Sequence, residues 1–189
     1  MRRARPEDGP AMGLIHVDAH RAAYRGMMPD EHLDSLDPEL RGRWWTERLT
    51  AGGGEGRCPT RGGLSTVLVA EAGGRILGIA SVGEVRPDPV EGVGELWMLN
   101  IAPDAWGRGL GRLLLAAATD ELRDRGFREA VLWVVERNQR ARRFYEDAGW
   151  GPDGGVMVED TRGSPIREVR YRRRLEGDER AAGAGEGGR

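Results

Sequence analysis

The segment Trp106-Gly107-Arg108-Gly109-Leu110-Gly111-Arg112 constrains this chain more than any other. Before it lies Glu95-Leu96-Trp97-Met98-Leu99-Asn100-Ile101, which reads as a strand. After it, Leu110, Leu113, Leu114, Ala117, Ala118 and Leu122 fall at the i, i+3, i+4, i+7 spacing of an amphipathic helix. A glycine-rich turn that opens a helix leaves backbone N–H groups unpaired at the positive end of the helix dipole. Glycine lets an anion come close to those groups, and Arg108 and Arg112 add charge beside them. The turn is therefore expected to hold a phosphorylated ligand.

Three loop types compete for that description. The P-loop needs Gly-Lys-Ser/Thr, but all 29 basic residues here are arginine. The absence of lysine also removes Schiff-base chemistry. The dinucleotide fingerprint G-x-G-x-x-G fails: counted from Gly107 and Gly109, its third glycine falls on Arg112. The R/Q-x-x-G-x-G/A loop of acyl-CoA-dependent acetyltransferases is met at Gly109 and Gly111, with Trp106 where Arg or Gln is usual.

A second motif narrows the choice. The apolar run Ala130–Val135 reads as a buried strand. Asn138-Gln139-Arg140-Ala141-Arg142-Arg143-Phe144-Tyr145-Glu146-Asp147-Ala148-Gly149-Trp150 follows it. Asn138 suits a helix N-cap and Gly149 suits the residue past a helix end, so a short helix is expected between them. Its Ala141, Phe144, Tyr145 and Ala148 share one face. In this order and on these elements, the two motifs resemble the GNAT superfamily of acyl-CoA-dependent N-acyltransferases. The resemblance covers residues 64 to 150 well and the flanks loosely.

That resemblance implies an α+β (α/β) fold. It would have a mixed, mostly antiparallel sheet of six or seven strands flanked by helices, splayed between the strands at 95–101 and 130–135. It implies acetyl-CoA as acyl donor, with the pantetheine lying in the splay against the backbone of Leu99, Asn100 and Ile101. The diphosphate would rest on Gly107, Arg108, Gly109, Leu110, Gly111 and Arg112, and Asn138 would lie near the pantetheine. Tyr145 becomes the candidate general acid for the leaving sulfur, and an N–H near Ile101 the oxyanion donor. Glu95 becomes the candidate base, directly or through water, because a carboxylate in an apolar strand tends toward a raised pKa; the other reading is a strand-start glutamate that faces water or pairs with an arginine. Arg140, Arg142 and Arg143 either reach the cofactor's 3′-phosphate or form a solvated helix face. The expected reaction is direct acetyl transfer to a primary amine of a small molecule or peptide. The alternative is a non-catalytic acyl-CoA-binding or sensor module.

Composition bounds the rest. A length of 189 residues suits one domain, expected over 1–175, followed by a charged, Gly/Ala-rich tail over 176–189 that reads as disordered. Net charge of −2 argues against a nucleic-acid partner, and no apolar run is long enough to span a bilayer. The single cysteine, Cys58, and the lack of a signal-peptide pattern point to the cytoplasm. His16 and His20 stand i, i+4 on an expected helix, but Val17 occupies the place of the zincin glutamate, so no metal is expected. Helices are expected over 10–24 and over 29–49 with a break at Asp37-Pro38. A structureless Gly-rich loop is expected over 51–63, and a hairpin with Ala72-Gly73-Gly74 at its turn. Two further strands are expected at 156–160 and 166–175. The run Arg170-Tyr171-Arg172-Arg173-Arg174 reads as a strand with a charged outer face, and exposed edge strands leave a homodimer open.

Overall fold

A computed structural model describes residues 1–60, 63–161 and 164–175; the tail over 176–189 lies outside the described residues. The chain runs β1 (Arg2–Arg3), α1 (Gly9–Tyr24), α2 (Asp30–Asp34), α3 (Pro38–Ala51), β2 (Arg57–Thr60), β3 (Gly63–Ala72) and β4 (Arg75–Glu84). It continues through β5 (Val93–Ile101), α4 (Leu110–Asp124), β6 (Glu129–Val135), α5 (Gln139–Glu146), β7 (Gly151–Thr161) and β8 (Ser164–Arg174). The strands form one sheet in the order β1-β3-β4-β5-β6-β8-β7, with β2 also paired to β3. This is the expected mixed sheet, a seven-strand path with β2 as an eighth member. Part of the stretch expected to be structureless is β2, whose Arg57 and Cys58 pair with Thr66 and Ser65. Its residues show no apolar alternation, so the pairing is imposed by β3 and not by local pattern.

Local chemistry fixes the turns. Gly73 and Gly74 have φ of 57° and 73°, the left-handed values that a type I′ hairpin requires at both central positions. Asp37 caps α3 by accepting from the N–H groups of Glu39 and Leu40, which explains the break between α2 and α3. Gly149, at φ 81°, ends the α5 segment: its N–H donates to Glu146 and that of Trp150 donates to Tyr145, a Schellman pattern. The arginine run in β8 is neutralised across the sheet, because Arg170 and Arg172 pair with Asp153 and Arg172 also pairs with Glu129.

β5 and β6 make the one parallel pairing among the described strands, Val93–Leu96 against Glu129–Leu132. Beyond Leu96 the two strands are not paired. The partner of β5 on its other side explains where they part. Ser81 pairs with Met98 but Val82 pairs with Leu96, so Trp97 is an extra, bulged residue. A bulge bends its strand and sharpens the local twist, and here it stands at the first residue of the gap.

Consecutive buried residues in β3 and β4 show that helices cover both faces of the sheet. α4 covers one: a side chain at Gly94 would strike Leu122 and Phe127, and one at Gly78 would strike Ile101 and Leu114. α1, with α3 packed on it, covers the other. These two helices touch through backbone. A Cβ on Gly13 would lie 2.4 Å from the Gly42 nitrogen and 2.4 Å from the Pro38 carbonyl oxygen. The low amphipathicity of both helices follows, since glycine and not a large apolar stripe forms their contact. His16 lies in this interface, its ring stacked on His20 at 4.5 Å and tilted against Trp45 at 6.3 Å. Burial first, then His20 and Arg41, push His16 down to about 3.

Two outcomes follow. Gly13→Ala forces backbone apart and should destabilise the protein by about 2–3 kcal/mol. Its melting temperature should fall by roughly 5–10 °C, and an unchanged Tm would disprove the contact. His16 is neutral when folded, whereas the unfolded chain takes up its proton near the ordinary histidine value. Its contribution is therefore complete above about pH 6.5 and is lost progressively as pH falls from there toward 3. The urea midpoint should drop between about pH 7 and about pH 5, and His16→Gln should flatten that drop. An equal slope in the variant would exclude His16 as its source.

Candidate functional site

The glycine turn is built as an open cradle. Gly107 and Gly109 have φ of 76° and 79°, and no atom lies within 4 Å of where a Cβ would stand on either. Among the described residues, the N–H groups of 107 to 111 find no backbone acceptor, while the Gly109 carbonyl already accepts from Arg112 and Leu113. The start of α4 therefore presents bare amides to open space, the arrangement that binds an anion. Arg108 and Arg112 are exposed at its rim, and Arg112 makes a 3.4 Å ion pair with Asp147. Leu110 is half-buried, and Gly111 packs against the Phe144 ring of α5.

Trp106 explains its own departure from the usual loop. Its indole N–H donates to the Ile101 carbonyl at 2.8 Å, tying the turn to the end of β5. Over its ring, 3.7 Å from the centroid, stands the Arg140 guanidinium. A positive charge thus stands beside the loop from α5. Arg142 is turned away from any such task, because it bonds the Tyr171 hydroxyl and the Glu136 carbonyl. No sequence signal distinguished Arg140 from Arg142. Only the packing of α5 on the loop does.

Between the cradle and the sheet lies the gap. Met98, Leu99 and Asn100 are half-buried and Ile101 is buried, and none of them pairs with β6. Alternate residues of this stretch direct their N–H and C=O groups away from β4 toward the gap. The bulge of β5 stands at Trp97, four residues before the expected oxyanion donor at Ile101. Asn100 brings more than backbone: its side-chain Nδ2 is buried with no hydrogen-bond partner. Asn138 is buried and caps α5, accepting from the Ala141 N–H at 3.0 Å. That cap fixes the helix that carries Tyr145. The Tyr145 ring meets Phe144 at 5.2 Å and Trp150 at 6.4 Å. Burial, and then the neighbouring Tyr24, push its hydroxyl above the ordinary phenol range. Such a hydroxyl stays protonated and is available as a donor.

Glu95 stands in β5 beside Gly94, which faces α4, so Glu95 faces the opposite side of the sheet. It is buried but not in apolar surroundings. Oε2 accepts from the Arg86 N–H at 2.9 Å and Oε1 from the Arg86 guanidinium at 2.7 Å. The same guanidinium lies 4.3 Å from the centroid of the Trp97 ring, whose indole N–H donates to the Glu84 carbonyl. Arg86 thus bridges the carboxylate and the bulge. A second carboxylate, Glu168 of β8, is half-buried and makes no ion pair among the described residues. Burial, then Glu159 and Glu95, raise it above the usual carboxylate range. Glu168 in turn helps burial to push Tyr24 up to about 12. Glu95, Glu168, Tyr24 and Tyr145, from four elements, are therefore within electrostatic reach of one another in sequence. Glu168 was hidden in the sequence by a charged, alternating strand. Cys58 is buried and its thiol is raised to about 11 by burial, which makes it unreactive.

A model of the acetyltransferase (GNAT) family matches residues 21–150. The uncharacterized N-acetyltransferase YuaI of Bacillus subtilis is 29% identical over 140 residues, covering 73% of this chain and 72% of that one. A mycothiol acetyltransferase of Thermomonospora curvata is 36% identical over 114 residues, which make up 60% of this chain and 36% of the relative. This chain thus spans only about a third of that relative's length. The structure of YncA from Salmonella typhimurium with its cofactor acetyl-CoA has the same fold, with a TM-score of 0.65, 24% identity and 93% of each chain covered. With the family match running through the cradle, the parted strands and the α5 motif, the chain belongs to the acetyltransferase (GNAT) family.

Proposed function

We propose that this protein is an acetyl-CoA-dependent N-acetyltransferase that acylates a primary amine of a small molecule or peptide by direct transfer in a ternary complex. The observation that supports this reading is the presence together of three available groups: the bare amides of 107 to 111, the open edge of β5, and the protonated Tyr145 hydroxyl. The residues fit the donor. The cradle suits a diphosphate, Arg140 adds charge beside it, and the orphaned Asn100 amide suits a carbonyl in the gap. When bound, acetyl-CoA supplies an acetyl thioester. The backbone of Leu99, Asn100 and Ile101 holds its arm as an added strand would be held. Tyr145 keeps a proton at its hydroxyl for the departing sulfur, and a carboxylate takes the proton lost by the attacking amine. We place the enzyme in the cytoplasm, where the buried Cys58, a free thiol, needs no disulfide partner.

The base is assigned to one of two carboxylates. Glu95 serves once Arg86 has swung away from it, with water as relay. Glu168 needs no such displacement.

Calorimetric titration with acetyl-CoA, followed by turnover with an amine panel, tests the reading. Tyr145→Phe should bind acetyl-CoA as tightly as the wild type and lose kcat by roughly 10²-fold or more. No acetyl-CoA binding to the wild type ends the proposal, and an unchanged kcat removes the acid role. The kcat/KM pH profiles of Glu95→Gln and Glu168→Gln identify the base. The variant lacking it should lose the acid-side limb together with roughly 10²-fold or more in rate. If both variants keep that limb, neither carboxylate is the base.

A further inference from the structure

A cavity of about 840 Å³ lies between α1, the α2–α3 region and the β7–β8 hairpin. Its helical wall carries Arg41, Trp44, His20 and His32, and Glu159 stands on the hairpin wall. Arg41 is half-buried, with its guanidinium 5.2 Å from the centroid of the Trp44 ring, and no described carboxylate pairs with it. A guanidinium has five donors in a fixed fork, and those of Arg41 meet no protein acceptor among the described residues while the side chain lines the cavity. The His32 Nδ1 on the same wall is buried without a partner. His20 Nδ1 lies 3.0 Å from the His16 carbonyl and donates to it, and burial keeps that ring neutral at pH 7. The acids nearby do not answer Arg41. Glu159, Glu47 and Asp160 are exposed, Asp160 is engaged elsewhere, and the Asp37 carboxylate caps α3.

The cavity adjoins the reaction end. His20 and Tyr24 are one helical turn apart on α1, their rings in edge contact at 5.2 Å, and Tyr24 is close enough to act electrostatically on Tyr145. Glu159, on the hairpin wall, acts on Glu168.

We propose that this cavity is the distal subsite for the acceptor, and that Arg41 receives an anionic group, a carboxylate or a phosphate, carried by the same molecule as the reacting amine. The assignment rests on reading Tyr145 as the reaction end. A planar fork held against Trp44 matches two oxygens at once, which a neutral or cationic acceptor does not offer. Acceptors with an amine at one end and an anion at the other, such as amino acids and amino phosphates, are the class the cavity selects.

Two measurements test this. In the full chain, the Arg41 Nε–H signal is assigned by its loss in Arg41→Gln and followed by NMR during titration with N-acetylglycine, N-acetylglycinamide and inorganic phosphate. A saturable shift with N-acetylglycine or with phosphate, and none with the amide, is expected, and whichever anion acts identifies the source. No shift with either anion overturns the subsite, whether or not the enzyme turns over. In the kinetic arm, amines matched as carboxylate and carboxamide are compared with acetyl-CoA as donor. The carboxylate should be favoured by about tenfold or more in kcat/KM. Arg41→Gln, or Arg41→Lys if the first variant does not fold, should remove the preference without changing the KM for acetyl-CoA. A preference for the carboxamide, or one retained in both variants, overturns the proposal. Failure of every amine to be acetylated counts against the transfer reading and leaves the NMR result to decide the subsite.

Discussion

β5 and β6 hold each other from Val93 to Leu96 and then separate, which leaves backbone groups without partners in the middle of an otherwise filled sheet. Each buried, unmade hydrogen bond costs about 1–3 kcal/mol, so a gap of this kind persists only if neighbouring structure enforces it. The enforcement is visible. The extra residue at Trp97 bends β5 just as pairing ends, its indole is anchored on the Glu84 carbonyl, and Arg86 covers its ring. On the far side, β6 keeps its full length against β8 through Val135, so it cannot follow β5 to close the gap. The same departure that opens the sheet puts the end of β5 at the entrance to the glycine cradle, where Trp106 takes up the Ile101 carbonyl.

The legible part of this architecture was carried by residues whose meaning is local. Paired glycines at 73 and 74, the break at Asp37-Pro38, the Asn138 cap and Gly149 each follow from chemistry within a few residues, and each is found where the sequence put it. The cradle belongs to the same class. What escaped depends on partners far along the chain. Gly13 and Gly42 look like weak points in two mediocre helices until the helices are seen to touch there. Arg57 and Cys58 have no strand pattern of their own and are recruited by β3. The environment of Glu95 is open in the sequence for the same reason: the strand is apolar, and only the fold brings an arginine from the preceding loop to its carboxylate. Glu168 and Arg41 were invisible because one charged residue in a charged strand or helix looks like another until packing removes its counter-ion.

The glycine contact between α1 and α3 also bears on the site. It brings Arg41 close enough to His16 and His20 for its charge to act on both rings. Backbone-to-backbone packing leaves little slack, so the cavity wall is set by main-chain geometry and not by adjustable side chains. A cationic fork held that way would be pre-organised for the proposed anion.

The arginine over Trp106 has a further consequence. Arg140 and Tyr145 sit on one short helix, five positions apart, so whatever presses on the indole and its cation also steadies the phenol. An anion settling in the loop would draw that helix by one end and fix the other. Under the proposed chemistry, the donor's far end, remote from the bond being broken, would govern how firmly the proposed proton source, Tyr145, is aimed. A donor stripped of its nucleotide would then react sluggishly even when its thioester is correctly seated.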